Sequence, residues 1–346
     1  MNEQRPYRLK RHLMRAMPWL IALSVAVFLF RKGGDWRQTP AVLAQVNGVW
    51  FVAALASQAA SYGTMTELNL VMLRQYGVPV PWIRIYSTQL ARVFVDTAIP
   101  SGTVGGLVVR ARLLDPYGAS ADVTTVTGLA EVVMVYAAIL VFALFVGGAA
   151  LMSGVPVLAG GQWQLWLAGA AGLVLAALLI WRRQRQIAHG LVRAWDRWIV
   201  RRGPKRLAAW PGERLLQRGR YLTGELSALV RGHPRAIGGS LFAHVCFEAM
   251  ALAMCFYAVG RPLPPVTLLL LYLLTVGVST FGGLPGLAEV SLAALYTRFG
   301  LDPASAMAVA LVYRLTDFWL PRAAGGLLWA RMERQHSQHA RVEVIT

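Results

Sequence analysis

The sequence predicts an all-α integral membrane protein of about six transmembrane helices plus two re-entrant helical hairpins, the hairpins related as an inverted repeat. Three observations carry that fold class. Hydrophobic residues make up 56% of the 346 and charged residues only 14%, with a mean hydropathy of +0.50, whereas soluble domains carry about a quarter charged residues. Apolar runs recur along the whole chain and leave no polar block large enough to fold as a separate catalytic domain. The basic residues, which give a net charge of +18, gather between those runs. That is the positive-inside pattern, and it points to anionic membrane lipids and not to nucleic acid as the partner.

In chain order the apolar runs fall at 14–30, 41–62, 86–99, 120–147, 163–181, 237–259, 266–281 and 303–330. A span needs roughly 20 residues. Six runs meet this, the first by letting Arg15 snorkel to the interface. Arg31 and Lys32 follow Phe28, Leu29 and Phe30 with no small-residue cleavage site, so the first run is expected to stay as a span. Runs 86–99 and 266–281 differ from the rest. The first stops at Pro100-Ser101-Gly102-Thr103-Val104-Gly105-Gly106 and resumes over 107–114. The second stops at Gly282-Gly283-Leu284-Pro285-Gly286 and resumes over 290–299. A short apolar arm, a Gly/Pro break and a second short arm make a re-entrant hairpin, because broken backbone survives at membrane depth only against protein or a watery cavity.

Charge sets the orientation. Arg5, Arg8, Lys10, Arg11 and Arg15 place the N-terminus in the cytoplasm, and residues 182–235, with 14 Lys/Arg against three acids, belong there too. Residues 148–162 carry no Lys or Arg and lie outside. The first hairpin then dips in from the cytoplasm and the second from the opposite face. The expected organisation is one polytopic domain over 1–346, with a first half (14–181), a basic cytoplasmic loop (182–236), a second half (237–330) and a cytoplasmic tail (331–346). The corresponding location is a bacterial inner (cytoplasmic) membrane. Within the loop, Leu191, Val192, Trp195, Trp198 and Ile199 alternate at helical spacing with Arg193, Arg197, Arg201 and Arg202, an amphipathic helix suited to an anionic surface. Similar stretches follow the two hairpins, Gly118-Ala119-Ser120-Ala121 and Gly300 through Ala304-Ser305-Ala306, which adds to the inverted-repeat signal. Recurrence of breaks in a glycine-rich chain is the plainer reading.

Charges at membrane depth are costly, so they are the first functional candidates. The first half offers Arg92, Asp96, Arg110, Arg112 and Glu131; the second offers Glu248, Glu289, Arg314, Asp317 and Arg322. Arg92 and Asp96 are four apart, as are His244 and Glu248, and Arg314 and Asp317 are three apart, so each pair can share a helix face. Mutual neutralisation that only locks the bundle is the alternative. Gly102, Gly105 and Gly106 open backbone N–H groups to an anion, and Arg110 adds a planar donor fork suited to phosphate. Close helix packing is the other use of such glycines. Gly282, Gly283, Pro285 and Gly286 mark the matching position ahead of Glu289.

No catalytic residue, cofactor or metal site is expected. The six histidines show no metal-ligand spacing, and Gly102-Thr103-Val104-Gly105-Gly106 lacks the strand of a dinucleotide site. Pro100-Ser101-Gly102 continues with Thr103 where a lipid-phosphatase element has histidine, and no nucleophile–base pair is in view. Cys246 and Cys255 fall nine apart in one apolar run, about 13 Å along a helix and too far for a disulfide.

At the two breaks the sequence resembles the flippase-like transmembrane domain of lysylphosphatidylglycerol synthases. The resemblance is carried by Pro100 through Gly105-Gly106 to Arg110, and by Gly282-Gly283-Leu284-Pro285-Gly286 to Glu289, followed by Tyr313-Arg314, Pro321 and Gly325-Gly326. It covers roughly 14–330, and it departs from the family in placing Pro285 inside the glycines. It implies a lipid-translocating or lipid-handling membrane domain. Two-part members of the family add a soluble aminoacyl-transfer domain, which is not expected in these 346 residues. Stand-alone relatives include proteins associated with hopanoid biosynthesis and some described as glycosyltransferases, although no nucleotide-sugar site is visible. The reading that follows is a non-enzymatic lipid flippase in which Arg92, Arg110 and Arg112 hold an anionic headgroup, while Asp96, Glu131, Glu289, Arg314 and Asp317 gate the path. The alternatives are an accessory protein docking a lipid-biosynthesis enzyme through the basic loop, or a membrane glycosyltransferase. The sequence sets no oligomeric state.

Overall fold

A computed structural model describes residues 36–98, 104–152, 231–281 and 286–343. Among the described residues the chain is helical, with no strand. The main helices are α1 (Gly48–Gln75), α2 (Trp82–Ala98), α3 (Val104–Leu114), α4 (Ala121–Met152) and α5 (Pro234–Ala258). They are followed by α6 (Pro265–Phe281), α7 (Leu287–Arg298), α8 (Pro303–Arg314) and α9 (Leu320–Glu343). A π turn, Leu315–Trp319, joins α8 to α9.

Local chemistry sets the boundaries. α1 starts where the Asn47 side chain accepts the N–H groups of Val49 (3.0 Å) and Trp50 (3.4 Å). α5 and α8 carry proline in their first turn, where its missing N–H costs nothing. The turns after α3 and α7 are built alike. Gly118 (φ +80°) and Gly300 (φ +92°) adopt left-handed backbone. The next N–H then bonds back, Ala119 to the Leu114 carbonyl and Leu301 to the Tyr296 carbonyl, both at 3.4 Å. Two residues past each glycine comes an N-cap: Ser120 accepts from Val123 N–H (3.3 Å) and Asp302 from Ser305 N–H (2.9 Å). The counterpart of Ser120 is therefore Asp302, not Ser305, which instead donates to that cap.

α1 and α5 run antiparallel and pack along most of their length. At one end Asn47 N–H donates to the Ala258 carbonyl (2.8 Å), and at the other Gln75 lies beside Gly232. The largest apolar core joins α5 to α6, α7 and α8 through Leu252, Phe256, Leu271, Tyr272, Leu292 and Tyr296. α2 lies on α9, with Gly325 and Gly326 against the backbone of Leu90 and the ring of Phe94. On α4 the polarity is inside-out. Thr124, Thr127 and Glu131 are buried, whereas Val141 (68% exposed), Leu144 and Phe145 (74%) point outward. Such a face suits hydrocarbon, which asks that polar groups be satisfied internally.

Two helices among the described residues are long and apolar enough to cross a membrane, Ala121–Ala150 and Pro234–Ala258. They coincide with the expected spans 120–147 and 237–259. The run 41–62 begins in a short helix, Thr39–Ala44, and continues after a break as α1, whose Ser57, Gln58, Ser61, Thr66 and Asn69 are buried and lower its hydropathy. The run 303–330 is divided by the π turn. Each expected hairpin appears as two shorter helices flanking the Gly/Pro break, α2 with α3 and α6 with α7. The spans 14–30 and 163–181, the amphipathic segment 191–202, and Gly102, Gly282, Gly283 and Pro285 lie outside the described residues.

Candidate functional site

The first module converges on Glu131, 4% exposed on α4. Arg92 of α2 clamps it with two donors, Nη2 to Oε1 at 2.9 Å and Nη1 to Oε2 at 3.3 Å. Arg110 of α3, 2% exposed, donates Nη1 to Oε2 (3.0 Å) and Nη2 to Thr127 Oγ1 (2.9 Å). Asn69 of α1 (3.0 Å) and Gln89 of α2 (3.3 Å) complete the ring around Oε2. Four helices thus meet at one carboxylate. They can do so because glycines stand at the crossings. A Cβ on Gly128 would strike the Leu107 side chain, and one on Gly106 would strike Arg92 Cγ and the Asp96 carboxylate.

Asp96 completes this module from α2. Its Oδ1 accepts the Gly106 N–H at 2.8 Å, in the first turn of α3. The backbone donor that the sequence offered to an external anion is held by an internal carboxylate. Gly105 lies in the same turn. Arg112, two residues beyond Arg110 and so on the other side of α3, is exposed; the structure does not bring it to Glu131.

The second module is centred on a cation. Arg314 of α8, 2% exposed, donates Nε to Glu289 Oε1 (3.3 Å) and lies 3.9 Å from Asp317 Oδ2 through Nη1. Glu289 also accepts the Gly286 N–H through Oε2 (2.7 Å), so one carboxylate caps α7 and pairs with α8. The Phe318 ring has Arg314 at 3.9 Å and Arg322 at 3.5 Å from its centroid. Pro321 has no N–H to give to the Asp317 carbonyl one turn earlier, which accounts for the π turn. Arg322 Nη1 fills in, reaching the carbonyls of Asp317 (3.4 Å) and Phe318 (3.0 Å), while its Nε donates to Thr97 Oγ1 on α2 (2.7 Å).

Between the modules, α1 and α5 share a third cluster. Glu248 Oε1 accepts from Gln58 Nε2 (2.9 Å) and Ser61 Oγ (2.7 Å), and Ser61 Oγ also lies 2.8 Å from His244 Nδ1. α1, which carries Tyr62 next to Ser61, links the clusters: Asn69 joins the first, Gln58 and Ser61 the third, and the helix packs on the π turn of the second.

The structure therefore joins Arg92, Arg110 and Glu131, and separately Glu289, Arg314 and Asp317. Of the pairs expected to share a helix face, Arg314 and Asp317 stay together, and His244 and Glu248 meet at Ser61. Arg92 and Asp96 also share a face, both meeting Gly106, but they bond to other helices, Glu131 of α4 and the Gly106 N–H of α3. Sequence reading missed Gln58, Ser61, Tyr62, Asn69, Gln89 and Thr127. A signal existed for α1: residues 58, 61, 62 and 69 recur on one helical face of an otherwise apolar run. Cys246 and Cys255 are both free, one exposed and one buried.

No curated protein matches the chain. A family match does exist, to the Lysylphosphatidylglycerol synthase TM region, and it spans residues 18–325, covering both broken-helix modules and the charged layer between them. The chain is a membrane protein belonging to the lysylphosphatidylglycerol synthase TM region family.

Proposed function

We propose that this protein moves an anionic lipid headgroup between membrane leaflets through the buried charged layer, without catalysing a reaction. The observation that carries the reading is the Arg92–Glu131–Arg110 cluster, in which two guanidiniums converge on one carboxylate beside the N-terminal turn of α3. A phosphate oxygen offers those donors the same chemistry as Glu131 and Asp96 do. The two carboxylates then act as resident stand-ins for the headgroup. An arriving lipid exchanges with them, and they re-form their contacts when it leaves. Arg92 Nε and Arg314 Nη2 are buried donors with no hydrogen-bond partner among the described residues, and they supply further places for a phosphate to bind. Acyl chains stay in the bilayer against the apolar face of α4.

In this reading α2–α3 and α6–α7 are re-entrant hairpins entering from opposite faces of an inner membrane, with both termini cytoplasmic. The exposed Arg112 draws headgroups toward α3. Glu248, Glu289, Arg314 and Asp317 gate the far half of the path. The test is a leaflet-labelling assay on the protein reconstituted in vesicles containing anionic phospholipid. Arg110→Ala and Glu289→Gln are each expected to slow translocation at least about tenfold, the loss of one charge-assisted contact of about 1.5 kcal/mol or more. Wild-type rates in both variants would overturn the assignment.

A further inference from the structure

The cluster between the modules differs from both of its neighbours. Glu131 and Glu289 each have an arginine in contact. Glu248 is held by two neutral donors, and among the described residues no Arg or Lys pairs with it. Asp317 lies within its electrostatic reach but has a cation of its own, Arg314 at 3.9 Å. A carboxylate at membrane depth with no cation in contact strongly favours holding a proton.

The hydrogen-bond arithmetic at Ser61 points the same way. Its Oγ has one proton and two close partners, Glu248 Oε1 at 2.7 Å and His244 Nδ1 at 2.8 Å. With the Ser61 proton engaged in one of these contacts, two arrangements satisfy both. In one, His244 Nδ1–H donates to Ser61 and Ser61 donates to the Glu248 carboxylate. In the other, protonated Glu248 donates to Ser61 and Ser61 donates to His244 Nδ1. Starting from imidazolium and carboxylate, the first becomes the second when the Ser61 proton passes to Glu248 and the Nδ1 proton passes to Ser61. Neutral imidazole, protonated at Nε2, and a neutral acid remain, and no other atom moves. The surroundings suit a proton store. Tyr62 of α1, Tyr272 of α6 and Tyr313 of α8 lie within electrostatic reach of Glu248, each bringing a hydroxyl and no charge. Arg314 and Arg322 face Asp317 from α8 and α9, and Glu131 of α4 faces His244.

We propose that Glu248 is a proton-binding site, loaded through His244 and Ser61, that couples lipid movement to the transmembrane proton gradient. The coupling rests on the flippase reading, whereas the proton site stands without it. Two measurements separate them. Infrared spectroscopy of the full-length purified protein at neutral pH is expected to show a protonated-carboxyl band that disappears in Glu248→Gln and shifts in Glu248→Asp. A wild-type spectrum without such a band, or a band unchanged in both variants, overturns the proton site. In vesicles of anionic phospholipid with an imposed gradient of about one pH unit, one proton per lipid gives about a tenfold leaflet asymmetry of labelled lipid. That asymmetry should collapse with a protonophore and be absent in Glu248→Gln. A wild type that equilibrates lipid without building asymmetry overturns the coupling and leaves the flippase standing. A wild type that moves no lipid overturns the flippase and with it the coupling, while the infrared result still decides the proton site.

Discussion

In the first broken-helix module the arginine lies on the second arm and the carboxylate on the helix that follows, Arg110 of α3 against Glu131 of α4. In the second module the carboxylate is on the arm and the arginine follows, Glu289 of α7 against Arg314 of α8. Each contact joins the short second arm to the next helix across a turn with a left-handed glycine, Gly118 or Gly300. What the two halves share is this tether, and its electrical polarity is free to reverse. The reversal leaves the modules unequal. Among the groups in contact, Glu131 serves two guanidiniums, whereas Arg314 is divided between two carboxylates. Asp96 adds a carboxylate beside the first cluster and Arg322 a guanidinium beside the second, so each module sets two cations against two anions and the inequality lies in which group is shared.

The largest expected effect tests this inequality. Glu131→Gln leaves two buried guanidiniums without their carboxylate, and such a break costs about 3–5 kcal/mol. Glu289→Gln leaves Arg314 with Asp317 still 3.9 Å away, so its loss should be nearer about 1–3 kcal/mol. Thermal unfolding of the purified proteins in one detergent compares them, and equal losses would break the distinction. Charge exchange sharpens it. Glu289→Arg combined with Arg314→Glu rebuilds the ion pair but not the cap on Gly286, so the double variant should recover part of what each single change loses. Arg110→Glu combined with Glu131→Arg moves a guanidinium onto α4 directly against that of Arg92, and should recover nothing. Recovery in both swaps would mean that Arg92 is not bound to Glu131 as the geometry has it.

Much of this was legible in the residues, for physical reasons. An intramembrane charge is too costly to be incidental, so Arg92, Arg110, Glu131, Glu289, Arg314 and Asp317 stood out before any contact was known. The breaks announced themselves through Pro and Gly, which cannot continue a helix cheaply. The neutral partners were hidden, because Asn69, Gln89, Gln58 and Ser61 carry no charge and sit in helices whose apolar residues dominate. The glycines were ambiguous for a different reason. Gly106 both donates its N–H to Asp96 and lets α2 approach, and spacing along the chain cannot distinguish the two uses. The π turn follows from Pro321, but the proline alone does not say that Arg322 will supply the missing donor.

The contact between the halves gives the next effect in size. A Cβ on Gly325 would collide with the Leu90 carbonyl, a backbone atom that cannot swing away. Gly325→Ala should therefore push α9 off α2 and cost about 1–3 kcal/mol. Gly147 on α4 has nothing within 4 Å of such a Cβ, and its change to alanine should be neutral or stabilise by about 0.5–1 kcal/mol. Limited proteolysis of the two variants side by side reads the difference. Similar resistance in both would mean that α2 and α9 are not in close contact.

The smallest effect concerns the two turns, which are alike in geometry and unlike in charge. Ser120 caps α4 with a hydroxyl and Asp302 caps α8 with a carboxylate. Removing either cap by change to alanine should cost about 1 kcal/mol at neutral pH. Only Asp302 has a charge to lose. The Ser305 N–H, and after it the Ser305 hydroxyl and Arg261 at 3.1 Å, hold its carboxyl below the ordinary range. A carboxyl depressed in the folded state adds stability that is fully present above its unfolded value, about pH 4, and is lost as pH falls through the folded value. The gap between wild type and Asp302→Asn, whose amide oxygen still caps, should then be small at pH 7 because the Arg261 pair is solvent-exposed. It should vanish on acidification, while the gap between wild type and Ser120→Ala stays constant. Melting curves across that pH range decide it, and a Ser120→Ala gap that closes in parallel would place the titrating group elsewhere in the turn.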